Sequence, residues 1–445
     1  MITNNTTNRR RFLSKTILTG GALTLGSTLL YLSQSSDNEK IPRLNLNLIK
    51  DPKGICDLPK GFSYKVISKH NEIMSDGNKV PDYHDGMGCF SGPNGEIILV
   101  RNHEVPLYFP FANEPSPNSE LAYDEKSSGG TTTIWLNDKL EVSKHYLSLT
   151  GTIRNCGGGK TPWGTWISCE ETDDDFGGGW KISKRHGYNF EVDPLKPLQK
   201  AVPLKAMGRF RHEAVAVDAI SGIAYQTQDD YSGCFYRFIP KAKEQFQQGG
   251  TLQALKFIDA NITHTTNQQL ELNKKYDCQW ITIDEPDPKD NTVHKQAQAK
   301  GAAIFVRGEG IVIHEDGIYF ACTAGGKQSV GQFFKYIAND NKTGTIQLVF
   351  EAKKNGVLEK PDNITINQWG DLIICEDNSL DEQCLIGLTP EGKIYHIAAN
   401  SQSEWAGACF SPDQKTLFAN IHKNPGMTIA IQGPWGSLRT QYINI

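Results

Sequence analysis

Residues 85–104, DGMGCFSGPNGEIILVRNHE, carry the pattern that decides the fold. Two short apolar runs flank a Pro-Asn-Gly turn, and this order is typical of a β-hairpin. The start of the first strand and the end of the second strand of a hairpin lie side by side. We therefore expect the first acid of this stretch, Asp85, and its last acid, Glu104, to lie on the same rim.

The same pattern recurs five more times along the chain. The later copies begin at Cys156, Glu213, Glu309, Asp362 and Glu404, so successive starts are 71, 57, 96, 53 and 42 residues apart. Each interval leaves room for two further strands, and four-stranded repeats of this length are typical of propeller blades. We predict an all-β fold, a six-bladed β-propeller. The alternative is a set of hairpins in a sandwich or in two smaller β domains.

The propeller is predicted to fill residues 37–445 as a single domain. Residues 37–84 lead into the first blade or close the ring. The widest interval holds a polar, Lys/Gln-rich stretch at about residues 241–300, which we interpret as an insertion rather than a second domain.

Residues 1–36 are predicted to be an export leader, because they carry four positive charges and no acid before a weakly apolar run. The sequence RRRFLSK at residues 9–15 matches the twin-arginine pattern. We therefore expect the twin-arginine translocation machinery as a partner and a periplasmic or secreted location. A chance basic tail and an uncleaved anchor are the alternatives. Since that route carries folded proteins, often with a cofactor already loaded, it is a first indication of metal.

Composition excludes several classes of protein. The 445 residues carry a formal charge of -4, and removing the +4 leader leaves about -8 by subtraction. This charge argues against nucleic-acid binding and against membrane affinity, and we expect no stable membrane span in the mature form. The ten cysteines show no CxxC spacing, and several lie in apolar strand-like runs, so neither a structural zinc site nor a disulfide framework is expected.

The acids of the repeats are expected to meet, because the innermost strand of every blade lines the central channel. The first residues of the copies would then converge at one mouth of the channel: Asp85, Cys156, Glu213, Glu309, Asp362 and Glu404. The acids that close the hairpins would stand around them: Glu104, Glu170, Glu171, Asp229, Asp230, Glu376 and Asp377.

So many carboxylates cannot all stay ionised at close range unless cations are bound. Carboxylate oxygens suit Ca²⁺, and a thiolate beside carboxylates with no nearby histidine suits a transition metal such as iron. The sequence therefore predicts a central, mixed, polynuclear metal site. For any single acid, a turn cap or a solvated strand end is the alternative.

Arg307 is the basic residue that stands out, because it precedes Glu309 by two positions and shares its strand parity. A guanidinium beside carboxylates suits an anionic ligand, since it can grip phosphate with two hydrogen bonds. A plain salt bridge to Glu309 is the alternative.

Seven short motifs together resemble the PhoX-type alkaline phosphatase family. They are NCGGG at 155–159, TPWGTW at 161–166, CEE at 169–171, RHEA at 211–214, RGEG at 307–310, PDN at 361–363 and CED at 375–377. The resemblance runs from about residue 50 to the C-terminus. It implies a six-bladed propeller, twin-arginine export, and phosphomonoester hydrolysis at alkaline pH. It also implies a cluster of Fe³⁺ and Ca²⁺ ions bridged by an oxo group.

The resemblance also implies residue roles. Cys156, Glu213 and Glu309 would lie on the iron side, and Arg307 would bind the phosphate. The other acids would share calcium and bridging roles: Glu104, Glu170, Glu171, Asp362, Glu376 and Glu404. The chain is shorter than typical family members, and Gly157-Gly158-Gly159 replaces the usual Ala-Gly-Gly run.

The predicted reaction is hydrolysis of a small-molecule phosphomonoester, with release of inorganic phosphate by attack of a metal-bound oxo or hydroxide. No serine with a histidine base is apparent. Two alternatives remain. One is a calcium-dependent propeller of the lactonase or phosphotriesterase kind, which needs no thiol, and the other is a binding propeller without catalysis.

Overall fold

A computed structural model describes residues 48–107, 116–174, 182–266, 270–378 and 382–443. The predicted leader, residues 1–36, lies outside the described residues. Within them the chain is almost entirely β, as its many short apolar runs and Gly/Pro/Asn turns predict. No described helix is both long and apolar enough to cross a membrane.

The first half of the described chain forms three separate sheets. A short pair joins β1 (Leu48–Ile49) to β2 (Leu58–Pro59). A four-stranded antiparallel sheet has the order β4-β5-β6-β7, from β4 (His84–Ser91), β5 (Ile97–His103), β6 (Gly129–Leu136) and β7 (Val142–Thr152). A three-stranded sheet has β9 at its centre, from β8 (Gly159–Lys160), β9 (Trp166–Cys169) and β10 (Asn189–Val192).

The middle of the chain forms one nine-stranded sheet, in the order β11-β12-β13-β14-β15-β19-β18-β17-β16. Its strands are β11 (His212–Val217), β12 (Ala224–Gln228), β13 (Tyr236–Pro240), β14 (Gly250–Phe257), β15 (Lys275–Thr282), β16 (Gly308–His314), β17 (Gly317–Cys322), β18 (Gln332–Ala338) and β19 (Thr343–Glu351). Thus β15 joins two four-stranded units edge to edge. The stretch 241–300 contributes β14, β15 and the helix α1 (Val293–Ala299).

The last two sheets have four strands each. One has the order β20-β21-β22-β23, from β20 (Pro361–Ile366), β21 (Leu372–Glu376), β22 (Gln383–Leu388) and β23 (Ile394–Asn400). The other joins β24 (Trp405–Phe410), β25 (Thr416–Ile421) and β26 (Met427–Gln432) to β3 (Ser63–Lys69), before the C-terminal helix α2 (Trp435–Ile443). Because β3 pairs with β26, a segment within residues 37–84 completes the last sheet of the ring.

The sheets form a propeller-like ring around a central axis. The strands that open the predicted hairpins contact one another in sequence: β4, β8, β11, β16, β20, β24 and again β4. All the predicted hairpins are present as antiparallel pairs. The inner strands come very close, since a Cβ at Gly86 would lie 1.6 Å from the Gly157 carbonyl oxygen. Only glycine permits that approach.

Apolar clusters between the sheets hold the ring together. The largest lies between the two units of the nine-stranded sheet, where Phe235 stacks on Phe320 with ring centroids 4.2 Å apart. Aromatic pairs of this kind stabilise a core beyond the area that they bury. All ten cysteines are buried and free. Because the apolar side chains pack between the sheets, the polar residues at the hairpin ends lie outside the core, at the channel mouth.

Candidate metal centre at the channel mouth

Irregularities in the inner strands orient the predicted ligands. In β4, β11, β16 and β20 the pairing register shifts just where the predicted ligand lies. A β-bulge at such a point bends the strand and re-aims a side chain. The predicted ligands that lie at these register shifts are Asp85, Glu213, Glu309 and Asp362.

A second set of residues follows the outgoing strand of each hairpin, and we call these the hairpin-exit residues. They are Glu104, Glu171, Asp229, Thr323, Asp377 and His422. Each donates its backbone N–H to a carbonyl at the hairpin entrance, as Glu104 does to Tyr83 at 2.9 Å and Asp229 does to Arg211 at 3.2 Å. The repeat therefore builds two tiers of side chains around one mouth.

Apart from His422, the two tiers line a polar cavity of about 430 Å³. Its acids are Asp85, Glu104, Glu171, Glu213, Asp229, Glu309, Asp362, Asp377 and Glu404. Its cations are Arg154, Arg211, Arg307 and Lys423, and the thiol of Cys156 completes the wall. With every acid ionised, nine acids against four cations would leave an excess of five negative charges by subtraction.

This excess shows in the ionisation of the buried acids. Burial, and then the charges of neighbouring acids, hold the pKa of Glu213, Glu309 and Asp362 well above its usual range. The pKa of Glu171 is raised by burial, although Arg154 opposes the shift. Burial and the nearby acids also raise the pKa of the Cys156 thiol. Cations bound among these groups would lower all of these values, because they favour the ionised forms.

The acids fall into two groups with the spacing of metal ligands. One group is Glu213, Glu309 and Asp362, and the other is Asp85, Glu104 and His422; within each group one donor atom from every residue lies within 4.8 Å of the others. The first group is all oxygen, which suits a hard cation, whereas the second adds an imidazole nitrogen.

His422 corrects the expectation that no histidine lies near the acids. Its Nδ1 is 3.2 Å from Asp85 Oδ2, and its Nε2 is 3.3 Å from Glu104 Oε2 and 3.5 Å from Glu404 Oε1. Yet neither ring nitrogen has a well-formed hydrogen bond to a described residue, although the ring is buried. Burial lowers the pKa of His422, but the surrounding carboxylates outweigh it and raise it to about 9. A buried imidazole within 3.5 Å of three carboxylates fits a metal ligand.

Cys156 is held rigidly in the wall of the cavity. Its backbone N–H donates to the Cys169 carbonyl at 2.9 Å, and its carbonyl accepts a hydrogen bond from the Asn102 side chain. Gly157 N donates to Glu213 Oε1 at 3.3 Å, which ties the backbone next to Cys156 to that carboxylate. Cys156 and Glu213 both line the cavity.

Arg307 reaches the cavity, but not through strand parity. It lies just before β16 with a φ of 51°, outside the pleat. Its Nε and Nη2 each donate to a different oxygen of Asp229 at 2.7 Å, and Nη2 is 3.3 Å from Glu309 Oε1. The salt bridge to Glu309, which was the alternative to binding an anionic ligand, is thus formed. Together with the bonds to Asp229 it fixes the plane of the guanidinium at the cavity wall.

Glu170 and Glu376, both predicted as metal ligands, do not line the cavity. Glu170 is fully buried and accepts hydrogen bonds from backbone N–H groups, including Gly187 at 2.9 Å, and from His186 Nδ1 at 2.6 Å. Glu376 is also fully buried and accepts from Glu359 N at 2.9 Å. Since successive side chains alternate along an extended chain, the next residue of each motif, Glu171 or Asp377, faces the cavity instead.

Comparison with known proteins agrees with this architecture. The family model described as "Alkaline phosphatase PhoX" matches residues 44–145 and 137–426. The structure of Pseudomonas fluorescens PhoX in complex with vanadate, a transition state analogue, is 19% identical to this chain with a TM-score of 0.66. That alignment covers 86% of this chain and 97% of the other, and it shows a shared fold.

A gluconolactonase from Xanthomonas campestris, XC5397, is also similar, at 9% identity and a TM-score of 0.45, over 87% of this chain and 97% of the other. A comparison with curated protein sequences finds no match. Because the PhoX model spans most of the chain, the protein belongs to the PhoX alkaline phosphatase family.

Proposed function

We propose that the protein hydrolyses phosphomonoesters with release of inorganic phosphate, and that the reaction takes place at a polynuclear metal site in the channel mouth. Membership of the alkaline phosphatase family supports the reaction class. The observation that carries the location is the cavity with five excess negative charges, one thiol and Arg307 in its wall. A phosphate dianion would be repelled from such a cavity unless cations were bound there.

We also propose that the ring counts six blades within one domain, residues 37–445. The sheets β4–β7, β8–β10, β20–β23 and β24–β26 with β3 supply four units. The nine-stranded sheet supplies two more, β11–β14 and β16–β19, and β15 bridges their outer edges. On this view residues 241–300 supply β14, the outer strand of one blade, and the rest of the stretch decorates its edge.

The donor set fits a mixed cluster of Ca²⁺ and Fe³⁺. Carboxylate oxygens such as those of Asp362 suit calcium, whereas the Cys156 thiolate, with Glu213 and Glu309 nearby, suits iron. Glu213 stands between the two kinds of donor. Bound at these residues, the ions would supply Lewis acidity toward phosphate oxygens and would activate a water-derived nucleophile. Glu104, Glu171, Asp85 and Glu404 would complete the coordination together with His422.

The chain's own residues would bind and orient the substrate. Asp229 holds Arg307 through Nε and Nη2, and no described residue forms a hydrogen bond with Nη1. That nitrogen is therefore available for a phosphate oxygen. Because Asp229 fixes the guanidinium before substrate arrives, little reorganisation is needed as charge develops on the phosphoryl group.

We further propose that the enzyme acts after export by the twin-arginine route, in the periplasm or outside the cell. The RRRFLSK motif at residues 9–15 supports this route. A cluster loaded before export would be consistent with it, since the cavity needs its cations to balance the buried acids. The substrates would then be small extracellular phosphate esters.

The test combines metal content with activity. We expect exported, folded protein to contain both iron and calcium and to hydrolyse p-nitrophenyl phosphate at alkaline pH. A calcium chelator should abolish turnover, and added Ca²⁺ should restore it. Protein that contains calcium alone and shows no turnover would refute the proposal and favour a propeller of the lactonase or binding kind.

A further inference from the structure

The rim of the cavity carries an aromatic ring that the metal centre does not use. Tyr231 lines the cavity and is 71% exposed. Within the described ranges its ring packs against no other aromatic ring and its hydroxyl makes no hydrogen bond. The ring therefore offers an open apolar face beside a highly charged site.

The backbone around Tyr231 is fixed by hydrogen bonds, so the side chain leaves the chain at a defined place on the rim. Asp230 Oδ1 accepts a hydrogen bond from Ser232 N at 2.7 Å. The Asp230 carbonyl accepts from both Gly233 N and Arg307 N at 2.9 Å. A rigid turn presents a binding group at a low entropic cost, because little backbone freedom is lost when a ligand binds.

This turn also places the ring close to the phosphate-binding arginine. Asp229, which grips Arg307, precedes Tyr231 by two residues. Consecutive Cα atoms are about 3.8 Å apart, so the Asp229 and Tyr231 backbones lie within roughly 8 Å of each other. In an aryl phosphate only the ester oxygen separates the ring from phosphorus. A leaving group of that shape would reach Tyr231 while its phosphoryl group lies at Arg307.

Arg211 supplies a cation on the same side of the cavity. Its carbonyl accepts the Asp229 N–H at 3.2 Å, and its Nε donates to Asp173 Oδ1 at 3.1 Å. Its side chain is 46% exposed, and neither Nη forms a hydrogen bond with a described residue. By contrast, Nη2 of Arg154 pairs with both Glu104 and Glu171. Arg211 thus keeps an open guanidinium edge toward solvent.

We propose that Tyr231 and Arg211 form a leaving-group subsite for aromatic phosphomonoesters. This inference rests on the proposed function. Tyr231 stacks on a planar leaving group, and Arg211 binds an anionic substituent on it. Stacking on an aromatic ring favours planar groups over alkyl groups of the same charge. A guanidinium edge favours a carboxylate through paired hydrogen bonds.

Steady-state kinetics of the metal-loaded enzyme test the subsite with phenyl phosphate, 4-carboxyphenyl phosphate and glycerol 2-phosphate. Tyr231→Ala should lower kcat/KM roughly three- to tenfold for both aryl esters and leave glycerol 2-phosphate within about twofold. Tyr231→Phe, which keeps the ring, should behave like the wild type. Arg211→Gln should lower kcat/KM about threefold more for the carboxylated ester than for phenyl phosphate. Comparing each variant with the wild type on the same ester cancels differences in leaving-group chemistry.

Equal losses for aryl and alkyl esters in Tyr231→Ala would overturn the subsite and leave the phosphatase standing. Binding of non-hydrolysable phosphonates, measured by calorimetry, gives a readout that does not need turnover. The wild type should bind phenylphosphonate more tightly than methylphosphonate, and Tyr231→Ala should lose that preference. An enzyme that turns over no ester refutes the proposed function, whereas the phosphonate preference still decides the subsite.

Discussion

Removal of metal should destabilise the whole propeller, because the cavity wall is made from every part of the ring. Two groups have the spacing of metal ligands, Glu213 with Glu309 and Asp362, and Asp85 with Glu104 and His422, so the proposed function predicts at least two cations. A ligand present at a thousand times its Kd stabilises the folded state by about 4 kcal/mol. Two such sites therefore contribute roughly 8 kcal/mol. For about 400 folded residues this corresponds to a fall in Tm of roughly 10 °C on chelation.

The variant Glu213→Gln sharpens this prediction, because its effect should change sign with metal content. In chelated protein at pH 8 it removes one buried acid from an uncompensated cluster, so Tm should rise by about 1 to 3 °C. In loaded protein it removes a metal ligand, so Tm should fall by several degrees. The exposed residue Glu120 offers a matched control, since Glu120→Gln makes the same chemical change away from the cavity.

The assay is thermal unfolding followed by circular dichroism, with and without chelator, on the wild type and both variants. A wild-type Tm that shifts by less than about 1 °C on chelation would refute the reasoning, because the cavity acids would then be stable without bound cations. A Glu213→Gln effect of the same sign in both states would show that Glu213 acts only through packing.

Three further predictions concern single residues. Arg307→Lys should lower kcat/KM about 10²- to 10³-fold with metal content unchanged, because lysine cannot keep both bonds to Asp229 and still face the phosphate; an effect under threefold would remove Arg307 from catalysis. Cys156→Ser should lower iron content while calcium remains, as measured by elemental analysis, and full iron retention would contradict the ligand assignment. Burial lowers the pKa of His186, but Glu170 and other acidic contacts raise it to about 9. Because this folded-state pKa is raised, the stabilisation is complete below about pH 6.5 and is lost as the pH rises through 9, on the order of 3 kcal/mol. Urea unfolding across that range should show a smaller pH dependence in His186→Gln, and equal slopes would contradict the buried ion pair.

The fold was predictable where the sequence is periodic and local. The hairpin of β4 and β5, for example, follows from its apolar runs and its Asn-Gly turn. The outer strands were not predictable in detail, because their pairing depends on packing between neighbouring units. Thus β15 lies in the polar stretch 241–300 and joins β14 to β19. No local propensity signals such an edge-to-edge contact, since strand preference depends on its surroundings.

The site was predictable in its position and only partly in its members. The acids that open and close the repeats predicted most of the cavity wall, including Asp85 and Asp362. That pattern missed His422, whose signal is positional, since His422 follows β25 as Glu104 follows β5. It also included Glu170, whose carboxylate is directed to backbone N–H groups behind the cavity. Because side chains alternate along an extended chain, one of two adjacent acids faces the mouth, but the sequence alone does not give the register that decides which one.

The hairpin-exit tier also explains where an anion can approach. Acids and one histidine hold every exit position except that of Thr323, which is uncharged. Thr323 N donates to the Arg307 carbonyl at 2.9 Å, so the neutral exit lies beside that arginine. Arg211 lies in the neighbouring repeat and lines the same cavity. Because like charges repel an incoming dianion and opposite charges attract it, the sector bounded by Thr323, Arg307 and Arg211 is the side from which a phosphate ester would enter. On the proposed function, the repeat would supply the acids that hold cations and, at Thr323, an uncharged exit position beside Arg307 where an anionic substrate could approach them.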